Sequence, residues 1–256
     1  MFIPLHDANS LRHIKLQFVT FGLIAANVLI WLFTAIQSEE AQIATVVGFG
    51  YIPITLFSDV VRPDELAYVP SWATYVTYAF FHGDFWHLAG NMLFLWVFGD
   101  NVEDAFGHLK FLAFYLLCAM AGALLHGLAA PESQAPLIGA SGAVAGVVAA
   151  YLMLHPRVKV WILVLGRIPL RIPAWVALAF WIALQFVMFA LAGEDQVSWA
   201  AHIGGIAAGA LLVLVFRRRG VPLFDREIVT PAAAEVVAAP AVAAQPTAPS
   251  GPWGRQ

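Results

Sequence analysis

Three histidines, an asparagine and a serine stand in stretches of the chain that are otherwise almost wholly apolar. His82, His87 and Asn91 lie in His-Gly-Asp-Phe-Trp-His-Leu-Ala-Gly-Asn, Ser141 in Gly139-Ala140-Ser141-Gly142, and His202 in Ala201-His202-Ile203-Gly204-Gly205. A serine hydroxyl is a weak nucleophile until a neighbouring base takes its proton. Histidine titrates near neutrality, so it can take that proton and later return it to a leaving group. Ser141 is expected at the start of a helix, where unpaired backbone N–H groups point outward and suit an oxyanion. The chemistry indicated is acyl transfer, with Ser141 as nucleophile and His202 as base. Each motif also has a plain structural reading: glycine-flanked serine as packing, His202 bonded to a carbonyl, and His87 with Asn91 as a helix-face pair joining helices. No His-Glu-x-x-His helix is present, and His82, His87 and His202 lack a carboxylate or thiolate to complete a metal site. No metal or other cofactor is therefore expected.

The elements that must hold these residues are set by composition. Of 256 residues, 61% are hydrophobic and 11% charged, against about a quarter charged in soluble domains. The apolar residues fall in six runs: Gln17–Ile36, Phe81–Gly99, Phe111–Ala130, Leu137–Leu154, Ile172–Gly193 and Val197–Phe216. A bilayer core takes roughly 20 apolar residues in a helix, and helix is the state that satisfies their backbone groups in lipid. The fold expected is an all-α polytopic membrane protein with six spans. Arg12, Lys15, Lys110, Arg157, Lys159, Arg167, Arg171, Arg217, Arg218 and Arg219 flank one side, and Arg62 alone stands among acids on the other. That bias, with an even span count, predicts cytoplasmic N- and C-termini.

Spans two, four and six then run in the same direction and carry the polar residues within their first turns. At 1.5 Å per residue, His87, Ser141 and His202 fall at similar depths, roughly 10 Å below the outer surface. Gly142/Gly146 and Gly205/Gly209 are small-xxx-small pairs of the kind that draw membrane helices together. Six independent spans need not have brought these groups to one level, and the match favours a shared site.

Residues 1–16 form a cytoplasmic N-terminal segment, 17–216 the membrane domain, and 217–256 a basic, then Ala/Pro-rich cytoplasmic tail expected to be disordered. The outer loop 37–80, rich in Phe, Tyr and Trp, is expected at the membrane interface. The first run is longer than a signal peptide's apolar core and is retained as a span. The single cysteine, Cys118, excludes an intrachain disulfide.

With these residues in place, the chain resembles the rhomboid family of intramembrane serine proteases over roughly residues 10–216. The likeness is carried by His82 to Asn91, Gly139 to Gly142, Ala201 to Gly205, and Phe98-Gly-Asp-Asn-Val-Glu103-Asp. It implies a six-helix bundle in which Ser141 attacks a scissile carbonyl and His202 is the base, with no aspartate partner. It also implies that His87, Asn91 and the Ser141 N–H bind the oxyanion, with His82 supporting the site. Gly139, Gly142, Gly146, Gly205 and Gly209 would be packing positions. Substrates would be transmembrane segments of single- or multi-span membrane proteins, entering sideways past span five, with no nucleic acid involved. A bacterial cytoplasmic membrane is the expected location. Two departures stand out: Trp72 is followed by Ala73 where well-known bacterial members have Trp-Arg, and Ala145 stands where some members have tyrosine beneath the histidine. Glu103 is expected as a brace and Asp84 as a cap; Cys118 and His126 are expected to pack, and His6, His13, His108 and His155 to face solvent.

Two rivals remain. A client-binding relative without activity usually lacks the serine or histidine, whereas both are kept here. A proton or ion conductor needs polar groups deeper along the spans, whose inner halves are nearly all apolar.

Overall fold

A computed structural model describes residues 2–191 and 198–225. Of the tail expected to be disordered, residues 217–225 are described and tied to the bundle through Arg218 N–H to Ala105 O and Phe224 N–H to Met153 O, whereas residues 226–256 lie outside the described residues, as do residues 192–197. In chain order the elements are β1 (Phe2–Asp7), α1 (Phe18–Ala35), α2 (Glu39–Phe49), the one-turn helices α3 (Ile54–Phe57) and α4 (Thr74–Thr77), α5 (Phe85–Phe106), α6 (His108–Ala129) and α7 (Ser141–Leu154). Strands β2 (Lys159–Val164) and β3 (Ile168–Pro173) follow, then α8 (Ala174–Leu191) and α9 (Trp199–Phe216).

Helices α1, α6, α8 and α9 are long and apolar enough to cross a membrane. Helix α7 is apolar but has only 14 residues. It begins at Ser141 rather than Leu137, because Leu137 pairs with Tyr51 and Gly139 takes a φ of 119°, where a Cβ is disfavoured. Helix α5 runs past Gly99 to Phe106, and its last turns carry Asp100, Glu103 and Asp104. These carboxylates organise the N-terminal segment. Helix α1 has no side-chain cap of its own, and Glu103 accepts from the Val19 and Thr20 N–H groups and from Thr20 Oγ1. That meets the donors a helix start leaves unpaired. Asp104 accepts from the Arg12, His13 and Ile14 N–H groups.

The all-α expectation needs correction. Residues 2–7 and the connection between α7 and α8 form an antiparallel sheet ordered β1-β2-β3. Val160 lies opposite both Asp7 and Ile172, and Trp161 opposite His6 and Arg171. Alternation decides which face is inward: Phe2, Pro4, Val160 and Ile162 are buried while Ile3, Leu5, Lys159 and Trp161 are exposed. Asp7 is also drawn in, accepting from Tyr151 Oη at 2.6 Å and Asn101 Nδ2 at 3.1 Å. Three of the histidines expected in solvent also have protein partners, and the His13 Nδ1 lies 3.1 Å from Asp104 Oδ2. His108 bonds Glu103, and His155 is half-buried with its ring 5.4 Å from that of Tyr151.

The centre of the bundle is where α7 meets its neighbours. Of its 14 residues, Ser141, Leu152 and Met153 alone are less than fully buried. Small side chains let α9 come to backbone contact: a Cβ on Gly205 would collide with the Gly142 carbonyl, and one on Gly209 with the Gly146 carbonyl. Cys118 of α6 fills the space against Gly146, the packing role expected of it.

The segment between α1 and α5 is built on Arg62. Its guanidinium donates to Gly48 O and Val69 O, both at 2.6 Å, tying α2 to the stretch before α4.

Candidate active site

Helix α5 begins at Asp84, whose carboxylate accepts from the His87 N–H at 2.9 Å. Asp84 is thus the cap expected of it, and it fixes the turn that carries His87 toward α7. The His87 ring lies against Gly139, so close that a Cβ there would sit 2.6 Å from its Nε2. The rings of His82 and His87 meet edge to face, 5.0 Å apart.

His82 is buried and joins two elements. Its Nε2 lies 3.1 Å from Asn91 Nδ2 and receives the Ala140 N–H at 3.3 Å. An amide N–H can only donate, so Nε2 is an acceptor and the ring carries its proton on Nδ1. The residue before Ser141 is therefore pinned to the segment that opens α5. Ala140 provides no side-chain cap for α7, so among the described residues no capping side chain takes up the first N–H groups of that helix, which begin at Ser141.

His202 is set by α9 and α8. Ser198 caps α9, its Oγ accepting from the Ala201 N–H at 3.2 Å. The Gly142–Gly205 and Gly146–Gly209 contacts give the register of the two helices. From these, His202 lies three residues above Gly205 and Ser141 one above Gly142, a difference in level of about 3 Å. The imidazole is buried, stacked on Trp181 with ring centroids 6.2 Å apart and edge-on to Trp199 at 5.7 Å. Its Nδ1 lies 2.8 Å from Gln185 Oε1. Among the described residues no hydrogen bond joins His202 to Ser141.

The structure thus gathers His82, His87, Asn91, Gly139 and the start of α7 through direct contacts, and brings α9 against α7 through glycine. Sequence reasoning missed the contribution of α8. Trp181 and Ile182 pack against Ala145, Ala149 and Ile206, so the room left by Ala145 is taken by α8, and an indole supports the histidine ring. The signal for Gln185 was an amide in the middle of an apolar run, where polar groups are costly. His126 also does more than pack: its Nδ1 lies 2.7 Å from Ser198 Oγ. Among the described residues, no cluster of three or more His, Cys, Asp or Glu side chains is arranged to hold a metal.

The rhomboid domain model matches residues 69–219. Rhomboid protein 1, mitochondrial, of Saccharomyces cerevisiae is 36% identical over 148 residues, 56% of this chain and 42% of that protein. Rhomboid protease GluP of Bacillus subtilis is 28% identical over 192 residues, 74% of this chain and 33% of its own length. Rhomboid-type serine protease 2 of Emericella nidulans is 28% identical over 201 residues, 73% of this chain and 35% of that protein. The chain thus spans less than half the length of each of these relatives.

Proposed function

The chain belongs to the rhomboid family, and from that premise we propose that it is an intramembrane serine endopeptidase that cuts transmembrane segments of other membrane proteins. The observation that carries this reading is the backbone contact of Gly205 with the Gly142 carbonyl. It supports a Ser141–His202 pair drawn from two apolar helices, beside His82, His87 and Asn91.

In this mechanism His202 Nε2 takes the proton from Ser141 Oγ as the oxygen attacks the scissile carbonyl. The carbonyl oxygen becomes an oxyanion, received by the Ser141 N–H, the Asn91 amide and His87. Asn91 has a second N–H beyond the one facing His82, so it can serve both partners. Protonated His202 gives its proton to the leaving amine. The same base then activates a water molecule to release the acyl group from Ser141. Fixed donors aimed at the oxyanion in a water-poor site supply stabilisation that bulk water cannot.

The topology proposed with this function has six spans, namely α1, α5, α6, α7, α8 and α9, with both termini and the β-sheet on the cytoplasmic side. Arg157, Lys159, Arg167 and Arg171 around the sheet support that orientation. The proposed domain layout keeps residues 1–16 and 217–256 outside the membrane domain. A bacterial cytoplasmic membrane is the proposed location. Substrate is proposed to pass α8, of which only Ala174, Ala177, Leu178 and Gln185 are buried. A substrate helix must unwind to present its carbonyl, so helix-destabilising residues beside a small residue are the expected cleavage context.

The test is cleavage of a single-span reporter in liposomes by the wild type, Ser141→Ala and His202→Ala. Cleavage by the wild type alone supports the assignment. Undiminished cleavage by either variant rejects it, and an inert wild type favours the client-binding alternative.

A further inference from the structure

The neighbourhood of His202 carries an inference beyond the two-residue mechanism, although it rests on that reading of Ser141 and His202. We propose that Gln185 is a positioning residue for the reaction, holding His202 as the Nδ1–H tautomer so that Nε2 is free to take the Ser141 proton.

Gln185 is 2% exposed on a helix whose other buried residues are Ala174, Ala177 and Leu178. A buried amide in an apolar helix is costly unless both of its ends are bonded. Both are. Nε2 donates to the Trp181 carbonyl at 2.7 Å, and Oε1 lies 2.8 Å from His202 Nδ1.

The direction of these bonds follows from what each atom can do. A backbone carbonyl can only accept, so the NH2 end of the amide must face Trp181 O. That leaves the amide oxygen toward the ring, and an amide oxygen also only accepts. The nitrogen opposite it must carry the hydrogen. A neutral imidazole protonated on Nδ1 is unprotonated on Nε2, which is the form a general base needs.

Orientation is fixed by the same turn of α8. Trp181, four residues before Gln185, stacks on the His202 ring. The indole sets the plane of the ring and the amide sets its proton and rotation. A nucleophile, a base and a group that orients the base form the general pattern for activated serine. A neutral amide fills the third place here, in a region where an unpaired carboxylate would be far more costly.

The experiment uses the full chain in liposomes with a single-span reporter, measuring kcat and KM from pH 5 to 9. Gln185→Leu keeps bulk but removes the acceptor. It should lower kcat at least tenfold with KM within twofold, a part of the roughly 10²–10⁴-fold that general-base catalysis supplies. Gln185→Glu restores an acceptor and adds negative charge, which favours the imidazolium. It should recover kcat relative to Gln185→Leu and move the acidic limb of the pH profile to higher pH. Wild-type kcat in Gln185→Leu would make Gln185 a packing residue and overturn the proposal. So would a Gln185→Glu enzyme whose acidic limb does not move, and this second result decides the matter even if Gln185→Leu does not fold. Cleavage that persists in Ser141→Ala removes the underlying reading as well, and that outcome is separate from anything the Gln185 variants do.

Discussion

Gly205 of α9 lies directly against the carbonyl oxygen of Gly142 in α7, with no room for a Cβ between them. Ser141 and His202 sit one and three residues above this contact, so the spacing of the two helices sets how closely the two side chains can approach. Gly205→Ala would drive a methyl group into backbone that cannot move aside as a side chain can. It should destabilise the bundle by roughly 1–3 kcal/mol and abolish most activity. Gly90→Ala is the control, since nothing lies within 4 Å of a Cβ there. It should be neutral or slightly stabilising, by up to about 1 kcal/mol. Thermal unfolding in detergent with a parallel cleavage assay separates the two; equal effects would remove Gly205 from its special place.

Arg62 holds the segment between α1 and α5 through the carbonyls of Gly48 and Val69. Charge-assisted bonds of this kind contribute about 1.5–3 kcal/mol each. Arg62→Ala should loosen residues 37–80, seen as faster proteolysis and hydrogen exchange there, while the exchange of α7 and α9 changes little. Arg62→Lys should restore little, because an ammonium lacks the planar fork that spans two carbonyls. Unchanged protection of the segment in Arg62→Ala would contradict this role.

Burial pushes the Asp7 carboxyl up to about 7 from an ordinary value of 3.8; the Tyr151 hydroxyl opposes the shift and Asp100 adds to it. The fold therefore binds a proton that the unfolded chain has lost between these values. Stability linked to Asp7 should fall as pH rises from about 4 to 7 and level off above that. Asp7→Asn should flatten this slope and raise the unfolding temperature at pH 8 while changing it little at pH 4. A slope unaltered by the substitution would show that Asp7 is not its source.

If substrate passes α8, tethering that helix should block it. Cys118 is buried, so thiols engineered on the lipid-facing ends of α8 and α5 would react alone. A short cross-link between them should suppress cleavage of a membrane-embedded reporter at least tenfold, and reductive release should restore it. Full cleavage with the cross-link intact would move the access route elsewhere.

Much of this could be read from the chain, because lipid leaves little freedom: long apolar runs become helices, and polar residues within them stand out. Ser141, His202, His87 and Asn91 were visible for that reason, and Gly142 and Gly205 because their spacing matched. The sheet is absent from the expectations because Val158–Leu165 is too short to span a bilayer and lies between the apolar runs. Yet Lys159 to Ile162 alternates polar or interfacial with apolar residues, and Gly166 offers a turn before Ile168, which together are a hairpin signal. Asp7 gave no sign in sequence, since its burial depends on Tyr151 and Asn101 from distant helices. Arg62 was counted as a charge on one side of the membrane, and counting charges does not show that a guanidinium can turn inward to bond carbonyls. Gln185 carries the same signal as Asn91, an amide inside an apolar run, but it lies in none of the three motifs, and only the fold shows that it faces His202.

The most direct measurement is covalent. The full chain in liposomes is treated with a fluorophosphonate, digested, and the modified peptide sequenced by mass spectrometry. A single adduct on Ser141, formed at a rate that falls at least a hundredfold in His202→Ala, is the result expected of a serine activated by that imidazole. Modification elsewhere, or labelling of Ser141 at an unchanged rate without His202, would contradict the account.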